Sequence, residues 1–156
     1  MNNVNLKTLI EFVGISAIVL SLVFVGLQLR QSQEIAIAAQ YQARAEAAQS
    51  MWMSLQESGT SVRVFQKPNA DLTPADLHTL ENVTRWGWTQ YDNHFFQYQA
   101  GFLDEESWQG LKARVERIYS NCDRRPIWQQ MRQFLRPSFV QYVDDLNDTC
   151  SDAKRP

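Results

Sequence analysis

The chain has 156 residues, enough for one domain and an appendage, and its net charge of −2 excludes an evident nucleic-acid binder. Mean hydropathy is negative, so whatever lies outside the one long apolar stretch must be polar enough for water. Aromatic residues at 12%, five of them Trp, still supply that remainder with a core, and no Pro/Gly-rich linker or internal repeat interrupts it.

After a short N-terminal tail (1–11), Glu11 and Arg30 bracket Phe12 to Leu29, eighteen residues without a charge. As a helix this run spans ~27 Å, close to a hydrocarbon layer of ~30 Å, and predicts a transmembrane helix over 12–29 with Glu11 and Arg30 at the two headgroup layers. A buried helix of a soluble protein is one alternative. A cleavable signal peptide is the other, with Lys7 as its basic start and Ala36-Ile37-Ala38 as a small-x-small site. The run exceeds the usual signal core, and Arg30, Gln31, Gln33 and Glu34 separate it from that site, which favours a retained span. Lys7 and the α-amino group before the span balance Arg30 and Arg44 after it, so charge sets no orientation. Gly14, Ala17, Ser21 and Gln28 form a small, weakly polar stripe along one side of the span. Such a stripe suits close helix packing, although ordinary variation in a lipid-facing helix produces it too.

No Gly or Pro falls between Leu27 and Ser58, and the Ala-, Gln-, Glu- and Met-rich segment 30–58 predicts a connecting helix stopped at Gly59. Ile37, Tyr41, Ala48, Met51 and Leu55 mark its apolar face. A short helical piece over 61–66 and a loop at "KPNADL" follow. Thr73-Pro74-Ala75-Asp76 then supplies an N-cap, a Pro at N1 and an acid in the first turn. The resulting helix runs to about Ala100, with Gly101 as its stop. Leu77, Leu80, Thr84, Trp88, Tyr91, Phe95, Tyr98 and Phe102 recur every three or four residues and make it the centre of the core. Asp104 caps a helix to about Ser120. Pro126 opens one to about Leu135, and Pro137 another to about Leu146. Nothing alternates like a strand. The expected fold is all-α: one N-terminal transmembrane helix continuing into a long helix, then a small soluble helical bundle over 59–150 and a C-terminal tail, 151–156.

With "VGLQLRQSQ" closing the span, an Ala-rich helix after it, and then "YQAGFLDEESWQG" and "PSFVQYVDDL", the chain resembles a widespread family of small uncharacterised bacterial single-span membrane proteins with a C-terminal all-helical domain. The resemblance implies a single-pass protein of the bacterial inner membrane with its soluble domain in the cytoplasm. Its motifs are helix starts and core positions, and it implies no activity, substrate or catalytic residue.

Chemical signatures are sparse. The six glycines are too dispersed for a Walker or dinucleotide loop, and no G-x-S-x-G elbow occurs. His78 and His94, sixteen residues apart on one helix, point about 160° apart and cannot share a metal. His78 shares a face with Glu81, but Glu81 and Arg85 at i,i+4 read as a solvated ion pair. In "RWGWTQ", Gly87 sits mid-helix, which suits a close helix crossing or, alternatively, a ligand approaching bare backbone. Cys122 and Cys150 flank the last helical pair, so its antiparallel packing would bring them within disulfide reach; two incidental thiols are the alternative. A bond would persist only in an oxidising compartment, against the cytoplasmic placement. Lys112, Arg114, Arg117, Arg124, Arg125, Arg132 and Arg136, opposed within that window only by Glu116 and Asp123, form either a solvated helix face or a patch resting on anionic lipid.

These features favour a membrane-anchored helical interaction or assembly protein without catalysis of its own. It would need no cofactor or metal and would partner the membrane and a second copy of itself or another membrane protein, with no nucleic acid. One alternative is a ligand-binding or enzymatic subunit with a pocket near Trp88, Tyr91, His94 and Tyr98. The other is a peripheral sensor of anionic lipid.

Overall fold

The computed structural model describes residues 2–150, with side chains from residue 5; the C-terminal tail assigned to 151–156 lies outside the described residues. Among the described residues the chain is all-α. Helix α1 spans Asn2–Glu57, α2 Pro74–Gln99, α3 Glu105–Tyr119, α4 Arg125–Met131 and α5 Pro137–Asp144, with short 3-10 turns between them. The chain divides into two units, Met1–Ala45 and Glu46–Pro156.

The first unit is helix alone. Its apolar residues have nothing to pack against: Phe12 and Leu20 are each 68% exposed, and so are most of their neighbours to a similar degree. Gly14 has no neighbour near its Cβ position, and the Gly14, Ala17, Ser21 and Gln28 stripe is exposed throughout. At the ends of the uncharged run Glu11 lies 3.8 Å from Lys7 and Arg30 lies 3.2 Å from Glu34, both as exposed i,i+4 pairs worth a few tenths of a kcal/mol at most. The apolar face expected along the connecting helix is covered only at its end. Leu55 is buried and Ala48 and Met51 are half-buried, whereas Ile37 and Tyr41 stay exposed. Cover begins only where the 3-10 turn Val62–Gln66 folds back, with Phe65 edge-on to Trp52 at 6.3 Å.

Every start signal in the second unit acts as its chemistry requires. Thr73 Oγ1 accepts the Asp76 N–H at 3.2 Å, and Asp104 Oδ1 accepts the Ser107 N–H at 2.8 Å. Gly59 and Gly101 hold φ of +71° and +78° after α1 and α2, the left-handed turn that ends a helix at no steric cost to glycine. "KPNADL" is more ordered than a plain loop. A 3-10 turn forms over Asn69–Asp71, held by the Asn69 N–H donating to Asp123 Oδ2 at 3.2 Å. The helix expected to reach Leu135 ends as α-helix at Met131 and tightens into a 3-10 turn, because Pro137 biases the preceding residue, Arg136, toward extended backbone.

Helix α2 is central, with α3, α4 and α5 all packed on it. Trp88, 1% exposed, meets Trp128 of α4 at 4.5 Å between ring centroids and Phe139 of α5 at 6.4 Å. One helical stretch further, Phe95 packs on Trp108 of α3 at 5.4 Å and stacks on Tyr142 of α5 at 5.2 Å. Such aromatic pairs add about 0.5–1.5 kcal/mol each beyond the area they bury. Phe102, expected in this face, is 39% exposed, and Leu103 takes the buried place because the turn at Gly101 shifts the register.

Cys122 and Cys150 form a disulfide with Cα atoms 5.4 Å apart. Beside it Arg125 closes the same corner. Its guanidinium lies 3.7 Å over the Tyr119 ring, donates to the Tyr119 carbonyl at 2.6 Å, and pairs with Asp148 at 2.7 Å. Asp148 in turn accepts the Cys150 N–H at 2.9 Å. Closing a loop across a separation of 28 residues removes unfolded-state entropy worth about 3–4 kcal/mol. Reduction, or a Cys122→Ser/Cys150→Ser pair, is therefore expected to lower the thermal midpoint of the helical domain by on the order of 10 °C, read by circular dichroism.

The Tyr142 hydroxyl is buried without a hydrogen-bond partner, and burial, with Glu116 adding to it, pushes its pKa up to about 12. A group raised in the folded state contributes stability that is complete below its unfolded value of about 10 and is lost as pH climbs through the folded value. Tyr142→Phe is thus expected to be neutral or stabilising by up to about 1 kcal/mol at pH 7 and to flatten the loss of stability above pH ~10. Denaturant unfolding at pH 7 and pH 11 checks both; a large loss at neutral pH would show that the hydroxyl has a partner.

Candidate functional site

An open groove of about 830 Å³ runs along the side of α2 that α4 and α5 leave uncovered. Its walls are α2 and α3, and its floor comes from the last turns of α1 and from the 3-10 turn after it. Most of the lining is apolar: Met51 and Trp52 from α1, Val62 and Phe65 from the turn, Leu111 and Ile118 from α3. This volume lies in the range of small-molecule sites, which are mostly apolar with a few placed polar groups.

The permanently charged groups are of one sign, beside Gln66, Thr84, Gln90, His94 and Asn121. Arg114, Arg117 and Arg124 line the groove and no carboxylate does. Arg114 and Arg117, at i and i+3 on α3, share a face, and among the described residues neither makes an ion pair. Opposite them stands Tyr91. Burial raises the pKa of its phenol, and the charges of Arg114 and Arg117 pull it back down. Arg124 is a different case. It is 5% exposed and donates to Asn69 Oδ1 at 2.7 Å, so it serves the structure of the loop it holds. Burial lowers its pKa, opposed by Asp123 and Glu81, and a guanidinium stays charged regardless.

Gly87 sits in the α2 wall. A Cβ built there meets only Cε2 of Tyr91, at 3.7 Å, an ordinary contact. No other helix comes within 4 Å of that Cβ position, so the close helix crossing that a mid-helix glycine suggests does not exist; Gly87 is a buried part of the groove's α2 wall. Glycine costs about 1 kcal/mol against alanine in a helix interior, and no packing contact inside the chain returns it.

Of the four residues expected around a pocket, Tyr91 and His94 line the groove. Trp88 does not, because its indole points about 100° away into the closed core, where its N–H reaches no acceptor. Tyr98 does not either. It stacks on Trp108 at 5.1 Å and its hydroxyl donates to Glu105 at 2.6 Å, a bond that raises the Tyr98 pKa and lowers that of Glu105.

The basic segment forms no single patch. Arg114, Arg117 and Arg124 turn into the groove. Arg125 and Arg132 are neutralised by Asp148 and Asp144, which fold back from beyond the segment, and Arg136 covers the Phe96 ring at 4.0 Å. Lys112 is half-buried on α3. His78 shares a contact with Asn82 at 3.4 Å, and Glu81 pairs with Arg85 at 3.3 Å. Among the described residues no three His, Cys, Asp or Glu side chains gather as a metal site.

Gly87→Ala is expected to stabilise the helical domain by up to about 1 kcal/mol, a rise of a few degrees in the thermal midpoint followed by circular dichroism. A drop instead would mean that backbone at Gly87 is packed against something. No family model matches the chain, and neither a curated protein nor a solved structure is similar to it.

Proposed function

We propose that the chain is a single-span protein of a bacterial inner membrane whose helical domain serves as an interaction module, without chemistry of its own, on the oxidising side of the bilayer. The observation that carries this reading is the uncharged run Phe12–Leu29, long enough to span and covered by nothing in its own unit. One helix of this length and composition near the N-terminus fits a retained span or a signal sequence. The exposed Ile35, Ile37 and Tyr41 beyond Arg30 favour a segment that stays and meets a neighbouring helix, from a second copy or from another membrane protein.

The Cys122–Cys150 disulfide supports the side. Reducing cytosol would keep that pair as thiols, so it argues against the cytoplasmic placement implied by the resemblance. A sensor of anionic lipid is the weaker reading, because ion pairs and burial disperse the cations it would need.

On membranes from cells expressing the full chain, the protein is expected to resist carbonate extraction and to keep an N-terminus upstream of Phe12. In intact spheroplasts a membrane-impermeant maleimide should label Cys122 and Cys150 only after an impermeant reductant is added. A soluble product beginning after Leu29 ends the anchored reading. Labelling that requires the cells to be opened reverses the orientation.

A further inference from the structure

We propose that the groove between α2 and α3 is a binding site for a free single-chain amphiphile with a carboxylate head, of the fatty-acid type. The head meets Arg114 and Arg117, and the chain lies over Gly87 against the floor made by Trp52 and Phe65.

Charge complementarity selects the head. Two arginines on successive turns of one helix face present forked donors to the same space, and neither is satisfied by a carboxylate of this chain. Both side chains are exposed, and guanidinium forks match a carboxylate in plane and spacing. Tyr91, on the facing wall and within the field of both, adds a hydroxyl donor. A neutral head would forgo that pairing, and a cationic one would meet like charge.

Shape and composition select the tail. Beyond the arginines most of the lining is aliphatic and aromatic, with Gln66, Thr84, Gln90, His94 and Asn121 among it, and a volume near 830 Å³ holds one chain and its head with room to spare. Gly87 is the specific element. A Cβ on this buried wall residue would touch only Tyr91, so the chain's own packing does not require a glycine here and its absence of a side chain bears on an occupant of the groove. The site belongs wholly to the helical domain and stands whether or not the N-terminal helix is retained in a membrane.

The test uses the full chain in phosphatidylcholine nanodiscs and isothermal titration with octanoate, which partitions weakly enough for saturable uptake to be separated from uptake by empty discs. Saturable one-to-one binding is expected for octanoate, with octanol and octylammonium weaker by about tenfold or more, the equivalent of one charge-assisted hydrogen bond. Gly87→Leu puts a branched side chain where the tail would cross α2 and should weaken octanoate by about tenfold or more in a protein that still unfolds cooperatively. Arg114→Glu/Arg117→Glu should lose octanoate and gain octylammonium, a reversal that a merely damaged fold does not produce. Equal affinity for octanoate and octanol overturns the proposal, as does unchanged binding to a folded Gly87→Leu protein or no saturable uptake at all. Phosphatidylglycerol in the discs is expected to leave octanoate binding intact. If it blocks binding, the occupant is bilayer lipid and the assignment to a free amphiphile fails.

Discussion

The packing of Trp88 against Trp128 and Phe139 decides most of what the helical domain can do. Helices α4 and α5 have 7 and 8 residues, too short to hold their shape as isolated helices in water. They persist because each contributes a large ring to one cluster on α2, and because the disulfide and the Arg125 corner tie the chain ends that flank them. Tertiary contact creates these elements; helix propensity alone would not.

Committing one face of α2 to that cluster has a consequence one residue away. Gly87 and Trp88 are neighbours in sequence but about 100° apart around the axis, so the residue beside the tightest contact looks out on another side. On that side α2 and α3 wall a groove, and the floor is supplied by an edge-on Trp52–Phe65 pair and a 3-10 turn.

Helix starts and stops were legible in the sequence because they are local chemistry. Thr73, Asp104, Gly59 and Gly101 each act within a turn of their own position. The aromatic face of α2 was legible for the same reason, since a period of 3.6 residues survives any tertiary arrangement. What the sequence could not display was which residues from elsewhere come to stand beside these. Arg125 and Arg132 read as free cations because Asp148 and Asp144 lie beyond the segment that holds them. Arg124 read as surface because the loop carrying Asn69 comes from more than fifty positions away. Gly87 read as a crossing point because a missing side chain is consistent with either a close neighbour or empty space, and only geometry separates the two.

The same folding that dissolves the basic patch concentrates what is left of it. Pairing takes Arg125 and Arg132 out of play and burial takes Arg124; Arg136 lies on the Phe96 ring and Lys112 stands outside the groove, which leaves Arg114 and Arg117 as the pair that lines it with no carboxylate beside them. Both are exposed, so water solvates each guanidinium until an anion replaces it with forked hydrogen bonds. The surplus charge therefore marks a place of use better than the length of the basic run did. It moves the functional question from the outer surface of the domain to a groove whose occupant must be greasy along most of its length and negative at one end.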